Sequence, residues 1–111
     1  MTKEIKETDI QKSICDWLAT RDNLFFWRSN NIPAPHRAMP KYSAKGLCDI
    51  CVVKDGKFIA IEVKRPDGFY KDRNRKSFQS EEQKDFEQKI LRHGGKYYVV
   101  KSLDEVILIV S

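Results

Sequence analysis

The chain has 111 residues, enough for one domain with a single modest hydrophobic core. Hydrophobic residues make up 41% and charged residues 33%, and no apolar run approaches the roughly 20 residues of a membrane-spanning helix. The net charge of +5 favours a polyanionic partner such as nucleic acid, and the charged first residues lack the apolar core of a secretion signal. We therefore expect a cytoplasmic protein without a membrane segment.

The first helix is predicted over residues 4–20. The apolar residues of one face recur at helical spacing: Ile10, Ile14, Trp17 and Leu18. Glu7 and Gln11 lie on or beside the same stripe. A carboxylate there has two interpretations: it belongs to a functional site, or it is a first-turn acid that complements the helix dipole.

An aromatic strand is predicted over residues 24–29, with the sequence LFFWRS. Residues 30–46 contain three prolines and no apolar period, which indicates a long loop. The loop could line a phosphate path or be an ordinary solvated segment. Its basic side chains include Arg37, Lys41 and Lys45, beside His36.

A β-hairpin is predicted over residues 48–63, because Asp55-Gly56 is a strong tight-turn signal between two apolar runs, 48–53 and 58–63. The polar stretch that follows, residues 64–79, interleaves aromatic and basic side chains. Its basic side chains, candidates for contacts with a polyanion, are Arg65, Lys71, Arg73, Arg75 and Lys76.

A second long helix begins near Ser80, which with Gln83 matches a capping box, and ends at Gly94-Gly95. Residues 96–100 are predicted to form a strand. The last segment, 103–110, fits either a helix capped by Ser102 or a strand, because it is rich in β-branched residues. The predicted fold is therefore α/β, in the order α-β-β-β-α-β-α, with a mixed sheet flanked by helices.

Three cysteines occur: Cys15, Cys48 and Cys51. An odd number without a signal peptide argues against a disulfide framework. Cys48 and Cys51 form a C-x-x-C motif. A redox motif of this kind normally precedes a helix, whereas here an apolar strand follows. We interpret both as small buried residues rather than as a metal or redox site.

Opposite charges lie inside the hairpin. Glu62 and Lys64 share one face of their strand, since alternate side chains point the same way. Across the turn at residues 55–56, Asp49 falls roughly opposite Glu62. The three groups could be a turn residue and a surface ion pair, or they could converge at one edge of the sheet.

Two close carboxylates repel each other, and a divalent cation removes that penalty. Mg²⁺ typically binds one or two carboxylates together with waters and substrate phosphates, and a backbone carbonyl such as that of Val63 could complete its shell. Lys64 could then orient a water or stabilise charge on phosphate. Asp49 and Glu62 are therefore candidate ligands for Mg²⁺ or Mn²⁺.

These motifs resemble the virus-type replication-repair nuclease (VRR-NUC) family of the PD-(D/E)xK nuclease superfamily. The likeness covers nearly the whole chain, through KETDIQKSICDWL, FFWRSNN, GLCDICVV, IAIEVKRPDG, SEEQKDF and HGGKYYVVKSLDEV. Cys48 replaces the proline usual before the aspartate, and residues 64–79 exceed the compact link expected there.

The resemblance implies a restriction-endonuclease-like core and one VRR-NUC domain over residues 1–111. It implies that Asp49 and Glu62 bind metal, that Lys64 is catalytic, and that Glu7 and Gln83 lie at the site. It further implies a bacterial or phage homodimer that cleaves branched DNA such as four-way (Holliday) junctions. The alternatives are a non-catalytic nucleic-acid-binding module of the same fold and a sequence-reading restriction-type endonuclease.

Overall fold

The computed structural model describes residues 6–29, 46–65 and 81–111. Within them the chain forms seven elements in the predicted order, so the predicted α/β arrangement is confirmed. They are α1 (Glu7–Leu18), β1 (Phe25–Arg28), β2 (Ile50–Lys54), β3 (Lys57–Val63), α2 (Glu81–Arg92), β4 (Lys96–Val100) and α3 (Leu103–Val110). None of the helices in these ranges is long and apolar enough to cross a bilayer.

The four strands form one mixed sheet in the order β1-β2-β3-β4. The first three pair antiparallel, whereas β3 and β4 pair parallel. Parallel neighbours need a crossover, and α2 lies in the connection between β3 and β4. This topology puts β3 at the centre, hydrogen-bonded on both sides.

The hairpin between β2 and β3 turns at Asp55-Gly56, as predicted. Both residues have positive φ, 52° and 76°, which is the requirement of a tight two-residue turn that matches the twist of the strands. The turn fixes the register, in which Ile50 lies opposite Ile61. One step further along, Asp49 lies opposite Glu62.

The two faces of the sheet have different coverings. Ile59, Ile61 and Val63 of β3 belong to the main core, which also includes buried residues of α1 and α3. Ala60 belongs to a smaller cluster on the other face, with Phe86 of α2 packed against it. By the period of two along β3, Glu62 and Lys64 lie on this second face, as predicted.

The last segment is a helix, which resolves the ambiguity of its sequence. The Ser102 side chain accepts a hydrogen bond from the Glu105 backbone N–H, and the Glu105 carboxylate accepts one from the Lys101 N–H at 2.6 Å. The bond to Ser102 satisfies one of the amides that the start of a helix leaves unpaired. Val106 and Val110 are buried against the core, whereas Leu108 is 81% exposed.

Candidate metal-binding site

Asp49 is held between two strands by its own backbone. Its N–H donates to the Ile61 carbonyl at 3.0 Å, and its carbonyl accepts from the Ser29 N–H at 2.9 Å. Its carboxylate Oδ2 accepts from the Val63 N–H at 2.7 Å. Three bonds therefore fix the position of this carboxylate at the end of β2, across from Glu62.

Glu62 is a buried carboxylate, only 3% exposed. Its Oε1 accepts a hydrogen bond from Gln83 Nε2 at 2.7 Å and lies 3.5 Å from Lys64 Nζ. With Glu62 ionised, no group in the described part of the chain donates to Oε2, which is also buried. One oxygen of the carboxylate is therefore well paired, and the other is left for a proton or a cation.

The protonation of Glu62 reflects this environment. Burial is the largest effect and, together with repulsion by Asp49 and a hydrogen bond shared with it, raises the pKa of Glu62 to about 8. Lys64 opposes the shift but does not cancel it. Without a further positive charge, the folded protein favours the protonated acid.

Lys64 is oriented by the sheet. Its backbone N–H donates to the Val100 carbonyl at 2.8 Å, which continues the β3–β4 pairing by one residue beyond β3. The side chain is mostly buried beside Glu62. A lysine held in this way has little freedom to leave the carboxylates.

Gln83 comes from the first turn of α2, and a close approach of two backbones brings it to the site. Gly46 has φ of +72°, and a Cβ added there would lie 2.3 Å from the Glu82 carbonyl oxygen and 2.7 Å from the Gln83 nitrogen. Only glycine permits that contact. The sequence prediction that Gln83 lies at the site did not include this role of Gly46. The capping partner Ser80 lies outside the described residues.

The candidate ligands among the described residues are all hard oxygen donors. The carboxylates of Asp49 and Glu62 lie side by side. The backbone carbonyl of Val63, the residue after Glu62, is a further oxygen donor. Such donors suit Mg²⁺ or Mn²⁺ rather than a thiol-preferring metal. Among the residues that the structure describes, no group of three or more His, Cys, Asp or Glu could hold one ion. The described residues therefore fit a metal site with two carboxylate ligands.

Glu7 lies in the first turn of α1, where it is half-exposed. The apolar stripe predicted for this helix faces the core: Ile10, Ile14 and Leu18 are buried. Trp17 is partly buried and packs against the same core. Gln11 accepts a hydrogen bond from Arg28 Nε at 3.0 Å, which ties α1 to β1. A contribution of Glu7 to metal binding, directly or through water, stays a prediction.

The two cysteines before and within β2 are buried, as predicted, but they also contact each other. Their sulfur atoms are 3.3 Å apart, and Cys51 Sγ lies 3.4 Å from Ser29 Oγ. Hydrogen bonds from Cys48 and Ser29 lower the pKa of Cys51 to about 7, while the bond to Cys51 and burial raise the pKa of Cys48. The sequence shows the C-x-x-C spacing, but it does not show that both cysteine side chains lie on the same face of the sheet.

Of the candidate DNA-binding residues, Arg65 is described and is half-buried directly after Lys64. The other seven lie outside the described residues: Arg37, Lys41, Lys45, Lys71, Arg73, Arg75 and Lys76. Their role stays a prediction.

Comparison with known proteins supports the architecture. No family model matches the sequence. No curated protein matches it either. A solved structure described as a VRR_NUC domain is similar over 93% of this chain and 91% of its own, with a TM-score of 0.55 and 20% sequence identity. This chain therefore has the fold of a VRR_NUC domain, a restriction-endonuclease-like α/β fold with a mixed sheet.

Proposed function

We propose that this protein is a metal-dependent DNA endonuclease of the VRR-NUC family, with residues 1–111 as its single nuclease domain. The observation on which the proposal depends is the buried Glu62 carboxylate, which lies opposite Asp49 and beside Lys64 with one oxygen lacking a donor among the described residues. The shared fold with a VRR_NUC domain and the net charge of +5 also support it.

Asp49 and Glu62 would hold Mg²⁺ or Mn²⁺, with the Val63 carbonyl completing the protein ligands and Glu7 contributing directly or through water. When bound, the divalent cation supplies a water of lowered pKa and neutralises charge on the scissile phosphate. The protein's contribution is to hold both carboxylates in fixed positions. The hydrogen bond from the Val63 N–H to Asp49 serves that purpose.

Lys64 and Gln83 would act on the reacting groups. The Lys64 ammonium lies 3.5 Å from Glu62 Oε1, which supports a role in positioning the attacking water or in stabilising negative charge that develops on the phosphate. The Gln83 amide fixes the orientation of Glu62 through Oε1 and leaves Oε2 for the cation.

The DNA would be held mainly by basic side chains that contact backbone phosphates, which gives affinity without sequence recognition. Arg65 is next to the site, and the basic residues of segments 36–45 and 71–76 are the further candidates. We propose branched DNA, including four-way junctions, as the preferred substrate. Because the described residues of one chain form one such site, cleavage of both strands of a junction would require two subunits, and a two-fold dimer is the simplest arrangement.

The test is cleavage of a labelled four-way junction and of its linear duplex arms, with Mg²⁺ and with Mn²⁺. We expect metal-dependent cleavage that favours the junction, and a loss of about a hundredfold or more in Lys64→Ala. Lys57→Ala is the matched control, because Lys57 lies on the same strand but is exposed at its far end. It should cleave like the wild type.

Two other results of this experiment would support the alternative functions. Cleavage of the duplex at fixed sequences would support a restriction-type enzyme instead. Binding of DNA that is unchanged in Asp49→Ala, together with no cleavage by the wild type under either metal, would support a non-catalytic binding module and reject the nuclease.

A further inference from the structure

Cys48, Cys51 and Ser29 form a small cluster beside the carboxylate pair. The two sulfur atoms are 3.3 Å apart, and the Ser29 hydroxyl is 3.4 Å from Cys51 Sγ. Cys48 is fully buried, and Cys51 is 6% exposed. Both cysteines belong to the cluster on the second face of the sheet, the face on which Glu62 also lies.

The two side chains meet because the chain changes conformation between them. In a continuous strand, residues three apart point to opposite faces. Cys51 lies within β2, but β2 begins only at Ile50, so Cys48 precedes the strand and reaches the same face. Because a disulfide has an S–S length of about 2.05 Å, the sulfur atoms need to approach by only about 1.2 Å to bond.

We propose that Cys48 and Cys51 are a redox pair that forms a reversible intramolecular disulfide, and that this bond inactivates the adjacent carboxylate site. The second part rests on the proposed function, whereas the first does not. Asp49 lies inside the bridged segment, directly after Cys48. A shift of the segment that brings the sulfurs together therefore moves a carboxylate that three hydrogen bonds otherwise fix.

The oxidant is a peroxide, which is small enough to reach a nearly buried thiol. The Cys51 thiol takes one oxygen from hydrogen peroxide, which breaks the O–O bond and gives a sulfenic acid and one water. Cys48 sulfur then attacks Cys51 sulfur, the S–O bond breaks, and the hydroxide leaves with the thiol proton as a second water. In sum, two thiols and one peroxide give one disulfide and two waters, and a dithiol reductant reverses the change.

The first test measures the bond itself on the full chain. After treatment of the reduced protein with hydrogen peroxide, we expect the free thiols to fall from three to one and the intact mass to fall by about 2 Da. Peptide mapping should join Cys48 to Cys51, and dithiothreitol should restore three thiols. Cys15→Ser should form the same bond, whereas Cys51→Ser should not. Oxygen addition without a bridge, or a dimer joined through Cys15, would overturn the proposal.

The second test measures the consequence for the site. Mn²⁺ affinity is measured by calorimetry on the reduced and the oxidised wild type, and we expect oxidation to weaken it by at least about tenfold. Equal affinity in the two forms would overturn the inactivation. The thiol count and the mass use wild-type protein and no metal. They therefore distinguish failure of the disulfide from failure of the proposed metal site, in which the reduced protein itself would bind no Mn²⁺.

Discussion

Glu62 is costly to the fold as long as it has no cation beside it. A buried carboxylate next to a second one is unfavourable, and a single lysine at 3.5 Å offsets only part of that cost. Residues that a protein retains at such a cost are found disproportionately at functional sites. The burial of Glu62 is therefore more informative than its presence in the sequence.

The metal-free protein should lose stability as the pH rises from 4.5 to about 8. In this window the folded protein keeps the Glu62 proton that the unfolded chain has released, so the folded state binds more protons. The slope from Glu62 approaches about 1.4 kcal/mol per pH unit. Urea denaturation across the window, wild type beside Glu62→Gln, measures it. Identical slopes in the two proteins would contradict the raised pKa.

Sequence reasoning reached the carboxylate pair because the relevant geometry is regular. A two-residue turn fixes the register of a hairpin, and the period of two places Glu62 and Lys64 on one face, opposite Asp49. The bond from the Val63 N–H to Asp49 could not be predicted. It depends on how the chain bends just before β2, which no periodicity encodes.

At the scale of elements, the contact between Gly46 and the first turn of α2 joins the two halves of the site. The loop that leads to Asp49 and the helix that carries Gln83 touch through backbone atoms. The prolines and the missing apolar period predicted a loop up to residue 46, but no pattern in the sequence showed that a helix packs on its end.

Gly46→Ala should therefore damage both stability and the site. Gly56→Ala is the matched control, because Gly56 also has positive φ but a Cβ there meets nothing within 4 Å. The control should cost about 1–2 kcal/mol from backbone strain alone. Gly46→Ala should cost more, since backbone atoms of α2 must move, and it should reduce cleavage beyond the control. Equal unfolding free energies and equal cleavage rates would contradict this role.

The second prediction at this scale concerns the hydrogen bond that caps α3. Ser102→Ala should lower the free energy of unfolding by about 1 kcal/mol, because the Glu105 N–H loses its partner. Ser13→Ala is the control: Ser13 is exposed inside α1, where alanine is the better helix former, so stability should stay the same or rise slightly. The cap also explains why residues 103–110 are helical despite their β-branched content.

In the whole molecule, one face of the sheet forms the main core and the other carries the candidate site. One face carries the main core between the sheet, α1 and α3. The other holds Glu62 and the cysteine cluster under α2, a helix with no fully buried residue. The order and the type of the elements could be predicted from the hydrophobic patterns of the sequence, because those patterns reflect which residues are buried. The proposed DNA substrate does not follow in this way, because the shape of DNA would be recognised by surfaces that no apolar period marks.

The proposed dimer has two candidate surfaces, the aromatic strand β1 and the C-terminal helix α3. Phe25 is 66% exposed on β1, and Leu108 is the corresponding apolar residue of α3. We expect sedimentation analysis to show a dimer for the wild type. One of Phe25→Lys and Leu108→Lys should give a folded monomer, since a charge in an apolar interface is unfavourable. A dimer that persists in both variants would exclude these surfaces.

The proposed function depends most on the Asp49 and Glu62 carboxylates, which would bind a divalent cation together. Calorimetric titration of the reduced, wild-type chain with Mn²⁺ tests it directly, beside Glu62→Gln. This substitution keeps the size of the side chain and removes its charge. We predict saturable binding by the wild type and a loss of more than about a hundredfold in affinity for Glu62→Gln. Equal affinity in the two proteins, or no binding by a folded wild type, would contradict the account.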